Sequence, residues 1–439
     1  MLNDESGNPM DNLSRRRFMS VTMAVAGLAA TGALVGCSRT ESISTDPNLL
    51  TLWYWKRSIS EKLLDSARRS ITGTPRRLRT DLIGGDFDVK LRTSLAGRAY
   101  VPDITGLNSN VALYFPSEDQ FVDMNELGAQ EHKADYLPWK WQFGVTPTGR
   151  MCFWPMDTGP TAQFYRTDLF AAASLPRDPD EVAATTNTWP AWLDAGKKLK
   201  RNSGVSLLAN ASIVYSQIVN ASAERYFSPA GRALFQDPGG TIRRAWDVAV
   251  AAAQAGITAK VLTPAEQNSA WVSGKVASHI EAVWWGPILK STAPNSSGKW
   301  AVAHQPGAPG NSGGSFLAIP KSCKDPKAAF DFITWLTSPE AQIQTYEDVQ
   351  LFPSAPKAFE SPRLSSPDKF FGGQDVLGVF QESAKEVPIT FISPYDSQVS
   401  EGVLKELTNV ETQGKDPDRA WADAMNQGIR QLEKRGLMK

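Results

Sequence analysis

Apolar and polar positions along this chain recur with two different periods, and the period switches often. Leu49-Leu50-Thr51-Leu52-Trp53-Tyr54-Trp55 is a run that predicts a strand. Ile59, Leu63, Leu64 and Ala67 then recur at helical spacing. Residues 77–83 predict a second strand, Gly84-Gly85-Asp86 a turn, and 87–95 a helix with Val89 and Leu91 inward. Residues 102–107 predict a short third strand that ends at Asn108-Ser109. Strand, helix, strand, helix, strand in this order predicts an α/β lobe around a parallel sheet. Ligands of such sheets lie beyond the carboxyl ends of the strands, here Trp55-Lys56, Gly85-Asp86 and Asn108-Ser109.

The pattern breaks at Gly149 to Phe170. Met151 to Trp154 is a strand-like run, Pro155 removes a ladder donor, and Thr158-Gly159-Pro160 forms a turn. A second apolar and aromatic run, Thr161 to Tyr165, follows at once, and Asp168 opens a helix. Two strand segments so interrupted predict a crossing between two lobes, with Trp154 to Gly159 on the floor of a cleft. An ordinary strand–turn–strand is the plainer alternative. From Trp189 the chain is mainly helical. Helical spacing marks 189–200, 245–255, 264–273, the segments opened by Asp325-Pro326 and Ser338-Pro339, and most of 398–437. Residues 276–285 read as a strand that ends in paired tryptophans, and 315–319 as a strand stopped by Pro320.

The N-terminus changes the picture of where the chain works. Ser14-Arg15-Arg16-Arg17-Phe18-Met19 before an apolar run from Val21 to Val35 reads as a twin-arginine export signal, too short to span a bilayer. It ends in Leu34-Val35-Gly36-Cys37, the pattern of a lipobox, so Cys37 is expected to carry a lipid anchor. Residues 1–37 are then the signal peptide and the polar stretch 38–48 a tether. About 400 residues follow, more than one core organises, which also predicts two lobes. The 46 basic and 46 acidic residues cancel, so there is no nucleic-acid footprint. His132, His279 and His304 have no metal-ligand spacing, no nucleophile elbow or phosphate loop occurs, and no metal or cofactor is expected. Apart from Cys37, only Cys152 and Cys323 occur, and an oxidising compartment permits either a disulfide or two buried thiols. The chain holds 14 tryptophans, whose flat faces match the C–H faces of sugar rings, although many must be core.

In this order the chain resembles the bacterial extracellular solute-binding lipoproteins of family 1, the maltose and disaccharide receptors of ATP-driven (ABC) importers. The resemblance rests on Trp154-Pro155-Met156-Asp157-Thr158-Gly159-Pro160 followed by Phe164-Tyr165-Arg166-Thr167-Asp168-Leu169-Phe170. It rests also on Gly274-Lys275-Val276-Ala277 leading to Trp284, on Gly313-Gly314 before Leu317-Ala318-Ile319-Pro320, and on the helix through Trp335 to Ala341. Arg166 stands where the family usually has Asn. The resemblance implies an α/β fold of two discontinuous lobes, 49–155 plus 316–354 and 156–315 plus 355–439, joined by hinge strands. It places Cys152 and Cys323 on neighbouring crossing strands. It implies a monomer that captures a small carbohydrate outside the cytoplasm and delivers it to the transmembrane subunits of an ABC permease.

A sugar site needs aromatic faces and polar groups that satisfy each buried hydroxyl. Trp284 is the foremost stacking candidate, because it follows a strand, precedes Gly286-Pro287 and matches the family's ligand tryptophan; Trp285 is expected to face the opposite way. Asp157 is a candidate acceptor or a turn cap, and Gly313 and Gly314 would let backbone amides approach a ligand. Trp55, Asp86 and Asn108 end strands of the first lobe, and Phe352 and Tyr395 lie in Pro-rich loops. Polyols, glycerophosphodiesters and polyamines are alternative ligands. A lipid-anchored glycosidase or a structural surface lipoprotein are readings of other classes.

Overall fold

The computed structural model describes residues 46, 48–69, 76–97 and 100–437. The export signal, Cys37 and nearly all of the tether lie outside the described residues.

The first sheet holds β1 (Leu49–Tyr54), β2 (Arg77–Leu82), β3 (Ile104–Leu107), β4 (Trp154–Pro155) and, much later in the chain, the strand Phe316–Ala318, in the order β2, β1, β3, Phe316–Ala318, β4. β1 is parallel to β2 and β3, whereas Phe316–Ala318 runs antiparallel to both β3 and β4. β1 is buried on both faces, so successive residues serve different cores. Leu50, Leu52 and Tyr54 pack with Leu64, Leu78, Ile104 and Phe330, and Trp53 packs with Phe87 and Leu91 on the other side.

The chain leaves this sheet through β4, pairs β5 (Asp157–Thr158) with the strand Phe352–Pro353, and enters β6 (Thr161–Arg166). β6 is the centre of a second sheet, flanked antiparallel by β7 (Ser278–Ala282) and β8 (Trp300–Ala303). With the returning strands counted in chain order, Phe316–Ala318 is β9 and Phe352–Pro353 is β10. Tyr165, Ile280, Ala301 and Ala303 face a core built with helices Trp189–Ser203, Ala211–Asn220 and Thr241–Gln254. Phe164, Val302, Trp285 and Phe380 face the opposite core. The C-terminal helices Asp396–Gln413 and Pro417–Glu433 add Val399, Val403, Leu407, Ala420 and Ala424 to the former core.

Several expected elements are shortened. Of the run 151–154 only Trp154 lies in a ladder strand, which continues into Pro155; Met151 makes a single bridge to Val145. The run 276–285 pairs only over β7, and Trp285 opens a helix, Trp285–Thr292. Gly286-Pro287 starts this helix rather than ending a strand. Pro287 lies in its first turn, where backbone donors have no intrahelical partner. Cys152 and Cys323 are separate buried thiols, so of the two states left open the disulfide is not formed.

Candidate functional site

Most polar groups of the crossing segments find partners within the crossing itself. The Asp157 carboxylate, 6 % exposed, accepts the Ser315 N–H at 2.8 Å. Lys140, from the helix Pro138–Gly144, supplies the opposing charge. Burial pushes the Asp157 carboxyl up and the Lys140 ammonium down, and each charge counters the shift of the other. The Lys140 ammonium has no hydrogen-bond partner and lies 3.3 Å from the centroid of the Phe316 ring. Around them the Gly159 N–H donates to Asn311 Oδ1 at 2.9 Å, and the Thr158 hydroxyl to the Pro353 carbonyl at 2.9 Å. The Ser354 hydroxyl donates to the Met156 carbonyl at 3.1 Å. Gly314, with φ +81°, serves this crossing: a Cβ there would stand 2.7 Å from the Asp157 carbonyl oxygen and 2.9 Å from Thr158 Cα. Phe352 is buried and packs on Phe359 at 5.1 Å between ring centroids.

Trp284 and Trp285 part company at the helix start. Trp285 is 3 % exposed and packs into an aromatic cluster, its ring 4.6 Å from His279, 4.8 Å from Phe164 and 4.9 Å from Trp271. It is a core residue. Trp284 is half-buried, and its indole N–H donates to the Ser312 carbonyl at 2.9 Å. Gly313, with φ +98°, lets the N–H edge of the indole approach the loop, because a Cβ there would stand 3.2 Å from Trp284 Nε1.

Ser312 also lines an open basin of about 560 Å³, with Asn210, Ser212, Gln217, Glu281 and Leu404 among the other walls. Asn210 and Ser212 stand at the start of the helix Ala211–Asn220, and Glu281 lies near the end of β7. Burial pushes the Glu281 carboxyl up to about 7, against the lowering effect of hydrogen bonds from the Ser312 side chain and the Ala282 N–H. His279, whose ring also reaches the aromatic cluster, is held neutral by burial, which lowers it to about 3. The Gln217 side chain donates to the Ile280 carbonyl at 3.0 Å, and its oxygen has no partner. A second cavity of about 580 Å³ is walled by Phe115, Phe227, Leu234, Ile389, Phe391 and Ile392, among others.

In the first lobe Trp55 is half-buried, edge-on to Phe87 at 5.0 Å, and held by Ser58, whose hydroxyl donates to its carbonyl at 2.7 Å. Asp86 is exposed and caps the helix Phe87–Ala96 by accepting the Val89 N–H at 3.0 Å. The Asn108 amide donates to Asp88 at 3.2 Å, and the Tyr114 hydroxyl donates to the same carboxylate at 3.2 Å. Tyr395 packs near Phe227, with 6.5 Å between centroids, at the head of the helix Asp396–Gln413, and does not line the basin. The fold thus brings Trp284 and Gly313 together with Ser312 and Glu281, and Asp157 together with Gly314 and Phe352. Reading the residues in order misses Glu281, Asn210, Gln217 and Asp88. The signal for Glu281 was present: it is the one acid in the apolar run 276–285.

A family model described as bacterial extracellular solute-binding protein matches residues 85–372, and the chain belongs to that family. Its fold is the two-lobed periplasmic-binding α/β fold. A crystal structure described as extracellular solute-binding protein family 1 is 28 % identical, with a TM-score of 0.83 over 88 % of this chain and 99 % of that one. The galacto-N-biose/lacto-N-biose I-binding protein of the ABC transporter from Bifidobacterium longum, solved with lacto-N-biose, is 19 % identical with a TM-score of 0.72, covering 90 % of this chain and 100 % of that one. The sugar-binding protein MalE of Xanthomonas citri is 19 % identical with a TM-score of 0.73, covering 88 % and 98 %. No curated protein matches the chain.

Proposed function

We propose that this protein is the carbohydrate-capturing component of an ABC importer. The observation that carries the reading is the half-buried Trp284 indole, whose N–H donates to the carbonyl of Ser312, a wall residue of a basin lined by amides, hydroxyls, one carboxyl, the His279 imidazole and apolar side chains. An indole face covers the apolar face of a sugar, and the amides and carboxyl replace the water its hydroxyls lose. The second cavity also carries an amide, hydroxyls and a carboxyl, from Gln142, Thr146, Ser228, Thr390 and Glu224, but its walls are the more apolar of the two. The lacto-N-biose complex of the similarly folded protein from Bifidobacterium longum, and the sugar-binding protein MalE of Xanthomonas citri, support the same class.

The lobes are assigned to 49–155 plus 316–354 and to 156–315 plus 355–439. Membership of β1–β4 and β9 in one sheet and of β6–β8 in the other supports this division. Trp55, Asn108 and Asp88 supply the first-lobe wall of the cleft. Contacts from both lobes form together only on closure, so ligand shifts the population toward the closed form, which docks on the permease. A lipid on Cys37, after twin-arginine export, holds the receptor at the membrane.

A thermal-shift screen over mono- and disaccharides, amino sugars, polyols, polyamines and glycerophosphodiesters tests the assignment, because a ligand of the native state raises its melting temperature. The expected result is saturable stabilisation by a sugar without turnover. Release of reducing ends from an oligosaccharide, or stabilisation by glycerophosphodiesters alone, would overturn it. Small-angle scattering should show compaction with the same sugar.

A further inference from the structure

We propose that the basin selects its ligand by charge, taking neutral and amine-bearing sugars and rejecting uronic or phosphorylated ones, with Glu281 as the residue that sets the preference. This rests on the reading of the basin as the sugar site.

The walls of the basin are rich in acceptors and hold no cation. Among the described residues, no lysine or arginine lines it. Its imidazole, on His279, is kept uncharged by burial in the aromatic cluster. Glu281 is half-buried, and no positive group offsets its charge: the groups acting on it are the Ser312 side chain and the Ala282 N–H. The Gln217 oxygen, on a side chain 3 % exposed, is a further buried acceptor without a partner. Unpaired buried acceptors are costly, and the chemistry that relieves them is a donor from the ligand. Sugar hydroxyls meet that need. An ammonium on the ring meets it better, because it also supplies the missing charge.

An anionic ligand meets the opposite situation. A uronate or phosphate brings a second negative charge beside Glu281, with no guanidinium or ammonium in the walls to bind it. The glycerophosphodiester alternative fails on the same ground. By contrast, the cations near the hinge are already engaged: Lys140 opposes Asp157, and Arg166 holds Asp168 with a bond of 2.7 Å.

The test is a calorimetric series on the full chain with matched neutral, 2-amino and uronic sugars built on glucose, on galactose and on their β-1,4-linked disaccharides. Wild type should bind each uronic member at least roughly tenfold more weakly than its neutral counterpart, and the amino member at least as tightly as the neutral one. Glu281→Gln should bring the uronic and neutral members to within about threefold and remove any advantage of the amine. The wild-type series needs no variant, so a poorly folding substitution does not shield the idea. Uronic sugars that bind as well as neutral ones overturn it, as does a charge preference that survives Glu281→Gln. If none of the sugars binds, the sugar-site reading itself falls and the charge selection falls with it.

Discussion

The crossing segments and the open basin beside them both carry polar groups within reach of the Ser312–Gly314 loop, yet they handle a carboxyl in opposite ways. At the crossing, Asp157 accepts a backbone N–H and has Lys140 as a counter-charge, although the Lys140 ammonium itself has no hydrogen-bond partner. In the basin, Glu281 has a hydroxyl and a neighbouring N–H but no counter-charge, and the adjacent Gln217 oxygen has nothing. A group satisfied by its own fold holds architecture together. A group left short beside open volume is where binding energy is available. The same division separates the paired tryptophans, since the Trp285 ring is surrounded by protein and the Trp284 ring is covered only in part.

Removing one side of the opposed Asp157–Lys140 pair should have the largest effect. Asp157→Ala leaves a buried ammonium and the Ser315 N–H without their partner and should cost about 3–5 kcal/mol in urea unfolding. Trp285→Ala empties an aromatic core position and should cost a similar amount, about 3–5 kcal/mol. If Asp157→Ala keeps full stability and loses only ligand affinity, the crossing and the basin do not differ as argued.

Glu281→Gln should do the reverse, and only at high pH. The Glu281 carboxyl titrates near 7 in the folded protein, against 4.5 for an unperturbed glutamate. A raised acid pKa means that the native state holds the proton longer, so stability falls as pH rises from the unfolded value through the folded one. Glutamine carries no such penalty. The variant should match wild type near pH 4.5 and be more stable by about 3 kcal/mol at pH 8, one pKa unit being worth about 1.4 kcal/mol. Melting temperatures at the two pH values check this. An equal gain at both would place the effect in packing instead.

Much of this arrangement was legible in the residues, and the part that was not has a physical cause. The βαβαβ order of the first lobe followed from period switches at Leu49, Ile59, Arg77 and Phe87, because local patterning is what those elements obey. Pro155 and the Thr158-Gly159-Pro160 turn marked the crossing for the same reason. The helix at Trp285 was hidden, because Gly286-Pro287 serves equally to end a strand or to open a helix, and tertiary packing of Trp285 decides. Glu281 stands out locally as the one acid in its apolar run, but its lack of a counter-charge depends on what surrounds it in space, which no local window records. Asp157 drew attention as a lone acid, and its partner Lys140 comes from a helix 17 positions away.

Trp284→Ala should change stability by no more than about 1 kcal/mol, since the ring is half-covered. Its effect belongs to the ligand. Sugar affinity measured by calorimetry should fall at least roughly tenfold, about 1.4 kcal/mol, with loss of the stacking face. The pair Trp284→Ala and Trp285→Ala thus separates binding from folding at adjacent positions. A Trp284 variant that binds normally but unfolds easily would move this indole into the core beside its neighbour.

The smallest effect should come from reductant. Were the crossing held by a covalent clasp between Cys152 and Cys323, its loop would be long and its loss would cost about 5 kcal/mol. Instead both thiols are free and buried, and burial pushes each up to about 12, which keeps them protonated and unreactive. The crossing is held by strand pairing and by the Asp157, Thr158, Gly159 and Ser354 hydrogen bonds. Dithiothreitol should therefore leave the melting temperature unchanged, and a thiol reagent should label both cysteines only after unfolding. A drop of several degrees on reduction would show that the crossing needs a bond its polar groups do not replace, and the contrast with the basin would then rest on covalent chemistry rather than on satisfied charge.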